Sequence, residues 1–311
     1  MTANMDWKGT RERLLGPPKR SILPPSVKLP VLPTALMEFS RKSSEPDATP
    51  KGLGEIIESD AGLTCELLRY VNSSAVAVRQ KVSSAVQALT LLGVRQARLH
   101  LTSSALRTAM KSSESKLVNF QVFWNTNLER AIFAREVAKL LKADVDLAFA
   151  GGMLQDFLLP ILTSQLLEDY LKLSKLQAEK PVEMSQFEKA IFNWDHAEAA
   201  SHIMLAWGFP DDLICCVACH HRGLKMLTDK ELGRTSVAAC AVAGLMPDPF
   251  RQVPEGFDRL LELEAAWPAF KILEIARTVD QEFRTMSPPG AAANHFTFLR
   301  RCEKLMQASA C

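Results

Sequence analysis

The chain has 311 residues, of which 47% are hydrophobic and 23% are charged, so it is long and apolar enough to bury the core of one or two globular domains. Its formal net charge of +2 is too close to neutral to indicate a nucleic-acid or anionic-membrane partner from bulk electrostatics. Its seven cysteines are scattered and odd in number, which argues against a disulfide framework and favours a reducing compartment.

Residues 1–26 are expected to form a flexible basic tail. Pro17, Pro18, Pro24 and Pro25 disfavour regular structure there, and basic side chains outnumber acidic ones. The start of the chain lacks the continuous apolar segment of a secretory signal, and no apolar run reaches the roughly 18 residues that a membrane span needs. We therefore expect a cytoplasmic protein without a membrane partner.

Residues 27–116 are predicted to form a first helical lobe. Thr49 is a suitable N-cap for a helix over Pro50–Glu58, because proline is well tolerated at the first helical position. Asp60 is a suitable cap for the next helix, which we expect to end at Asn72.

Two further helices complete this predicted lobe. Ser84 and Gln87 have the spacing of a capping box, and Gly93 is placed to end the helix that they begin. A longer helix is predicted from Val94 to about Met110. The polar, serine-rich stretch 111–116 then suits a junction between two lobes.

Residues 117–246 are predicted to form a second helical lobe, and residues 247–311 a helical C-terminal extension. Apolar residues follow helical spacing from Trp124 to Leu141, and a helix starting at Ala143-Asp144 is expected to carry the polar pair Gln155-Asp156. Further helices are predicted over 157–178, 185–207, 211–222, 229–245, 257–284 and 294–308, with a turn at Pro288-Pro289-Gly290. Alternating strand-like runs are absent, so the predicted class is all-α.

Several stretches of the sequence together resemble the HD-related output domain (HDOD) family of bacterial signalling proteins. In the first half they are LPVLP at 29–33, EIIESDAGLT at 55–64, LLRYVNS at 67–73, VSSAVQAL at 82–89 and LLGV at 91–94. In the second half they are FW at 123–124, GML at 152–154, DH at 195–196 and WGFP at 207–210. The resemblance covers roughly residues 27 to 245 and is more specific in its first half.

The resemblance implies a two-lobed helical fold related to the HD-superfamily phosphohydrolases, used in most members for signalling or regulation. The active relatives hold metal through histidines and a His-Asp pair. Here Gln155 stands where the histidine of the pair is expected, and Thr126 or a neighbour stands where a histidine of the first helix is expected. A neutral amide oxygen is a poor ligand for the transition metals of such sites. The resemblance therefore implies a degenerate site, with no catalytic residues, no bound metal and no cofactor.

The candidate ligand-binding or vestigial metal site consists of Gln155, Asp156, His196, His220 and His221. A purely structural role is the alternative for each of these residues. A buried carboxylate such as Asp156 must be paired in either case, and histidines at the end of a helix interact with its free carbonyls. With expected imidazoles missing, a two-metal site that activates water is hard to assemble.

A second motif near this site is Cys216-Val217-Ala218-Cys219-His220, which has the spacing of covalent haem attachment. We reject haem, because attachment of that kind requires export and no signal segment is found. Zinc bound by Cys216, Cys219 and His220 remains an alternative, since offsets of three and four place these residues on one helix face. A structural zinc normally takes four ligands from two elements, which counts against it.

The function expected from these observations is non-catalytic signalling or regulation by binding. A signalling protein is the expected partner, with a small ligand or self-association as alternatives, and nucleic acid is not expected. The rival hypothesis is a metal-dependent phosphohydrolase that acts on a nucleotide or cyclic dinucleotide through Asp156, His196, His220 and His221. A third hypothesis, nucleic-acid binding by the basic tail, predicts an affinity that falls steeply with salt.

Overall fold

The computed structural model describes residues 5–17, 19, 22–73, 76, 78, 80–111, 115–287 and 295–309. Every regular element in that part of the chain is a helix, which confirms the predicted all-α class. The backbone forms two compact units. The smaller unit comprises Leu29–Ser112 and Met204–Pro210, and the larger comprises Met1–Lys28, Ser113–Ile203 and Asp211–Cys311.

The helices are numbered in chain order. The first six are α1 (Trp7–Leu15), α2 (Thr34–Lys42), α3 (Pro50–Glu58), α4 (Ala61–Val71), α5 (Ala85–Leu92) and α6 (Val94–Met110). The next six are α7 (Phe120–Leu141), α8 (Val145–Leu154), α9 (Leu159–Gln165), α10 (Leu167–Glu179), α11 (Met184–Phe192) and α12 (His196–Ala206). The last are α13 (Asp211–Ala218), a 3-10 segment (His220–Thr228), α14 (Ser236–Ala243), α15 (Gly256–Ala266), α16 (Ile272–Met286) and α17 (Phe298–Ser309).

Side-chain caps begin the helices of the smaller unit where the sequence predicts them. Thr49 Oγ1 accepts a hydrogen bond from the backbone N–H of Gly52 at 3.2 Å, and Asp60 Oδ1 accepts one from Leu63 at 2.9 Å. Ser84 Oγ accepts from the backbone of Gln87 at 3.2 Å. Each cap satisfies an N–H group that the first turn of a helix leaves unpaired, which fixes where α3, α4 and α5 start.

The larger unit is built around the packing of α7 against α8. The two helices approach closely because α8 has glycine at Gly152. A Cβ atom on Gly152 would lie 2.9 Å from Ala131 Cα and 3.0 Å from the carbonyl oxygen of Arg130. These are backbone atoms of α7, which cannot move away as a flexible side chain could. The glycine therefore sets the spacing of the two helices that hold the candidate site.

We predict that Gly152→Ala lowers the free energy of unfolding by about 1–3 kcal/mol, the usual cost of overpacking a core. Equilibrium unfolding in denaturant measures the loss. The matched control is Gly52→Ala in α3, where glycine is exposed and an added Cβ would meet only Thr49 Oγ1 at 3.4 Å. That variant is expected to be neutral or slightly stabilising. An equal loss in both variants would contradict this account of the packing.

The N-terminal residues depart from the predicted flexible tail. Asp6 accepts a hydrogen bond from the backbone N–H of Gly9 at 2.9 Å and so caps α1. The helix ends before Pro17, the first of the prolines that disfavour regular structure. Helix α1 packs against α13, with Arg11 paired to Asp211 at 3.3 Å. The irregular tail expected over 1–26 is thus corrected for residues 7–15, because ion pairs and a cap hold these basic residues in a helix.

The residues predicted as a helical C-terminal extension belong to the larger unit. Helix α16 packs against α7 and α17. The predicted helices over 257–284 and 294–308 correspond to α15, α16 and α17. The turn predicted at Pro288-Pro289-Gly290 and part of the predicted 111–116 junction lie outside the described residues.

One stretch, Val145–Gln165, is long and apolar enough by composition to cross a membrane, contrary to the expectation of no such run. Its most apolar window is 83% buried inside the protein, as is usual for core helices. The expectation of a cytoplasmic protein stays a prediction. The six cysteines in the described part of the chain are free thiols.

Candidate functional site

Four segments of the larger unit bring the candidate site together. Helix α7 supplies Arg130, the turn after α8 supplies Asp156, the first residue of α12 is His196, and the 3-10 segment begins with His220 and His221. Asp156 therefore follows a helix rather than lying within it, which corrects the predicted helical placement of the Gln155-Asp156 pair.

His196 was also expected inside a longer helix, over 185–207. The structure breaks that helix at Asn193, which adopts a left-handed backbone with φ of 62° and ends α11. Asp195 Oδ1 then accepts a hydrogen bond from the backbone N–H of Glu198 at 2.8 Å, so α12 starts afresh. His196 consequently lies at the start of a helix, where its backbone N–H is free to bond to a side chain.

Asp156 is the centre of the cluster and is fully buried. Its Oδ1 atom lies 3.2 Å from His196 Nε2 and 3.3 Å from His220 Nε2. Its Oδ2 atom pairs with the guanidinium of Arg130 and accepts a hydrogen bond from Gln252 Nε2 at 3.0 Å. Burial alone would raise the pKa of Asp156, but the charge of Arg130 and the two imidazoles hold that pKa well below its usual value. The carboxylate is thus ionised, with both oxygens in use.

Arg130 is a buried cation between two carboxylates. One guanidinium nitrogen, Nη1, pairs with Asp156, and the other, Nη2, lies 3.5 Å from Asp248 Oδ2. Asn127, one turn earlier on α7, accepts from Nη1 at 3.5 Å. Burial raises the pKa of Asp248, with the charge of Arg130 opposing that shift and the charge of Asp156 adding to it. The negative charge on Asp156 Oδ2 is therefore balanced by the guanidinium of Arg130.

His196 is oriented by a carboxylate on α11. Glu188 Oε2 lies 2.7 Å from His196 Nδ1 and accepts the backbone N–H of the same histidine at 2.9 Å. The other oxygen, Oε1, accepts the hydroxyl of Tyr170 at 2.6 Å. Burial would lower the pKa of His196, but the charges of Glu188 and Asp156 raise it to about 10. Glu188 holds Nδ1, the ring nitrogen on the outside of the cluster, so that Nε2 points towards Asp156.

His220 and His221 complete the cluster from the 3-10 segment. His220 Nδ1 lies 2.7 Å from the carbonyl oxygen of Val217, and its Nε2 lies 3.3 Å from His196 Nε2. His221 Nε2 lies 3.0 Å from the same atom of His196. Burial, followed by the neighbouring imidazoles His220 and His196, lowers the pKa of His221 well below its usual value, so this ring is neutral.

The donor atoms of the cluster fit a divalent transition-metal ion. Among the residues that the structure describes, His196, His220 and His221 form a group whose ligand atoms all lie within 4.8 Å of one another. Tetrahedral ligands with metal–nitrogen bonds of about 2.0–2.1 Å are separated by roughly 3.3 Å, which is close to the 3.0 Å and 3.3 Å observed here. The outer nitrogens of His196 and His220 are hydrogen-bonded, as in most metal-binding histidines.

A family model describes most of this region. The HDOD domain model matches residues 29–223. The chain belongs to the HDOD family. This match confirms the resemblance seen in the motifs.

Solved structures share the HDOD fold. One, from Geobacter sulfurreducens, is described as an HDOD domain protein of unknown function; it is 18% identical, with a TM-score of 0.56, and the match covers 82% of this chain and 93% of that one. A candidate phosphohydrolase from Shewanella amazonensis SB2B is 19% identical, with a TM-score of 0.57 and coverage of 92% and 95%. A candidate signal transduction protein from Marinobacter aquaeolei VT8 is 19% identical, with a TM-score of 0.54 and coverage of 98% and 64%.

One curated relative matches in sequence. It is an uncharacterised protein of Treponema pallidum (strain Nichols), 24% identical over 195 residues. The match covers 62% of this chain and 37% of the relative, so the chain spans little more than a third of that protein's length.

The structure brings together four of the five predicted site residues of this HDOD protein: Asp156, His196, His220 and His221. Gln155 is buried, and its Oε1 atom accepts no hydrogen bond in the described structure. Thr126 is not the α7 residue at the site, because its hydroxyl donates to the carbonyl of Val122. Asn127 and Arg130 occupy that face of α7 instead.

The residues that the sequence prediction missed are Arg130, Glu188, Asp248, Gln252 and Tyr170. The available signal was charge within apolar helices, because a buried arginine or glutamate needs a partner. Arg130 interrupts an apolar stripe of α7 in this way. Its partners could not be named, since they lie on other elements far along the chain.

The alternative zinc site in the HDOD chain places Cys216 and Cys219 with His220. The structure turns His220 Nε2 towards His196. Cys216 faces α8, where a Cβ on Gly151 would lie 2.7 Å from its Cβ atom. Burial raises the pKa of the Cys216 thiol well above its usual value and that of Cys219 to about 11. These cysteines are packed as neutral thiols, which counts against the zinc alternative.

Proposed function

We propose that this HDOD chain is a non-catalytic signalling protein that acts by binding a protein partner, with a small ligand as the alternative. The observation that carries the proposal is the burial of three of the four clustered residues: Asp156 and His196 are 0% exposed and His220 is 1% exposed, while His221 is half-buried. A phosphohydrolase must admit both a phosphate group and an attacking water to its metal ligands.

The charge arrangement supports the same conclusion. Among the described residues, Asp156 is the only carboxylate that contacts both Arg130 and the imidazoles of His196 and His220. In a two-metal hydrolase, the metal pair stabilises the attacking and leaving oxygens. Here a guanidinium takes up the second oxygen of Asp156, so this carboxylate is not free to bridge two ions.

The HDOD relatives are consistent with a signalling role. The Marinobacter aquaeolei protein is described as a candidate signal transduction protein, and the Geobacter sulfurreducens protein has no assigned reaction. Identities near 19% relate these proteins to the chain by fold, so a partner has to be found by experiment.

The second candidate function is metal-dependent phosphohydrolysis, favoured by the convergence of three imidazoles and by the description of the Shewanella amazonensis relative. An assay of the full chain with phosphomonoesters, phosphodiesters, nucleotides and cyclic dinucleotides, each with manganese, iron(II), nickel or zinc, separates the two functions. We expect no turnover above that of a His220→Ala control prepared in the same way. Metal-dependent turnover that disappears in His220→Ala would overturn the non-catalytic proposal.

A further inference from the structure

Three carboxylates of the larger unit face α1 and Lys19, and together we call them the acidic surface. They are Glu198 on α12, Asp211 at the start of α13 and Glu231 after the 3-10 segment. Each one pairs with a basic side chain from near the start of the chain. The pairs are Arg11–Asp211 at 3.3 Å, Arg13–Glu231 at 2.6 Å and Lys19–Glu198 at 2.5 Å. The charges on the two sides of this contact are therefore complementary.

Helix α1 also has an apolar side. Trp7, Thr10 and Leu14 recur at offsets of three and seven, which puts them on one side of the helix. Thr10 is buried, and Trp7 and Leu14 are half-buried. The helix packs against α13, in which residues 213–217 are all buried. A basic amphipathic helix thus covers an apolar one, with the acidic surface along the contact.

Few buried contacts hold α1 in this position. Thr10 is the one buried residue of the helix, whose residues are all described. The side chains of Arg13 and Glu231 are 58% and 63% exposed, and exposed ion pairs stabilise little because water and salt screen them. Gly16, with φ of 67°, ends the helix, and Pro17 follows it. The helix is therefore a weakly held ligand that is tethered to the surface it covers.

The elements that carry the acidic surface also hold the histidine cluster. Glu198 lies two residues after His196 on α12, and α13 ends two residues before His220. A helix that replaces α1 at this surface changes the contacts of both elements. Binding at the acidic surface is linked to the cluster in this way.

We infer that the acidic surface is where a basic amphipathic helix of the signalling partner docks, and that α1 occupies this surface in the free protein. The partner helix has to match α1, with apolar residues on one side and basic side chains that reach Asp211 and Glu231. Because α1 is tethered, its effective concentration at the surface is on the order of millimolar, and the partner must compete with it. The inference rests on the proposed function for the existence of a partner.

Peptide binding to the full chain tests the docking surface. The probe is a fluorescently labelled synthetic peptide of residues 5–17, and fluorescence anisotropy measures its dissociation constant. Combining Arg11→Glu with Arg13→Glu weakens the tethered helix, so this variant is expected to bind the peptide about tenfold more tightly than the wild type. Arg41→Glu is the matched control, because it makes the same charge change in a partly exposed ion pair on α2, and it should bind the peptide as the wild type does. Equal affinity in the wild type and the double variant, or no binding to either, overturns the inference.

Labelling of Cys215 tests whether α1 covers α13. This thiol is fully buried, and the charge of Arg11 opposes the rise in its pKa that burial causes, so the two residues lie close together. Iodoacetamide should modify Cys215 several times faster in Arg13→Glu than in the wild type, and slowly again once Glu231→Arg restores opposite charges. Both substituted residues are exposed, so folding does not depend on them. Cys302, buried on α17, is the internal control and should react at one rate throughout. Equal Cys215 rates in all of these proteins overturn the covering role of α1.

Further outcomes separate this inference from its alternatives. A wild-type dimer that dissociates when Arg11→Glu and Arg13→Glu are combined, detected by sedimentation, would show that the α1 of a second copy occupies the surface and would overturn the assignment to a partner. Metal-dependent turnover would overturn the proposed function but leave peptide binding and labelling as expected here. Loss of peptide binding without turnover would overturn this inference alone.

Discussion

Replacing Arg130 with methionine is expected to lower the free energy of unfolding by about 3–5 kcal/mol. The substitution leaves Asp156 and Asp248 buried without their shared cation, and removing one partner of a buried ion pair costs about this much. Methionine keeps most of the side-chain volume, so the loss reports the charge rather than a cavity. Unfolding in denaturant, followed by circular dichroism, measures it.

A double substitution separates the charge from the packing. The double variant Arg130→Met with Asp156→Asn removes both charges of the ion pair. Its loss in free energy of unfolding should therefore be smaller than the sum of the losses in the two single variants. Arg135→Met is the control on the same helix. Its ion pair with Glu282 is partly exposed and should contribute no more than about 1 kcal/mol. Equal losses at Arg130 and Arg135 would contradict the view that Arg130 stabilises the protein as the buried counterion of Asp156 and Asp248.

The helices were most predictable where their starts depend on neighbouring residues alone. Thr49, Asp60 and Ser84 cap the helices that they were expected to cap, because a cap is formed by side chain and backbone within three residues. The start of such a helix can therefore be predicted from the sequence alone.

The break between α11 and α12 shows where local patterns fail. Apolar spacing continues across Asn193, so periodicity predicts one long helix. The left-handed backbone at Asn193 and the new cap at Asp195 instead turn His196 towards Glu188 and Asp156. The contacts that accompany this break join residues of different elements, so the local pattern of apolar residues does not contain them.

The candidate site was predictable in its residue types but not in its charge balance. Histidine and aspartate patterns indicated Asp156, His196, His220 and His221, and the structure places them together. Arg130 pairs with Asp156 and lies near Asp248, yet nothing in its sequence neighbourhood points to either carboxylate. The interpretation of the site as vestigial rests on the missing histidines and stays a prediction.

Replacing Glu129 with alanine is the second change with a large expected effect, again a loss of about 3–5 kcal/mol. Glu129 is fully buried on α7 and anchors the C-terminal segment: it accepts from the backbone N–H of Phe298 at 2.5 Å and from Arg301 Nη2 at 2.7 Å, and lies 2.8 Å from His295 Nε2. Without the carboxylate, a buried guanidinium and the first backbone N–H of α17 lose their acceptor. Hydrogen exchange over residues 295–309 should accelerate far more than exchange over α3 in the smaller unit.

Glu303→Ala supplies the matched control, because Glu303 lies on α17 but is exposed. It should change neither the unfolding midpoint nor exchange in α17 appreciably. The inference that Glu129 acts by holding this helix is checked by truncation after residue 286: once α17 is removed, Glu129→Ala should cause little further loss, since its partners are already gone. A full additional loss in the truncated protein would show that Glu129 stabilises α7 through other contacts, and the anchoring role would have to be abandoned.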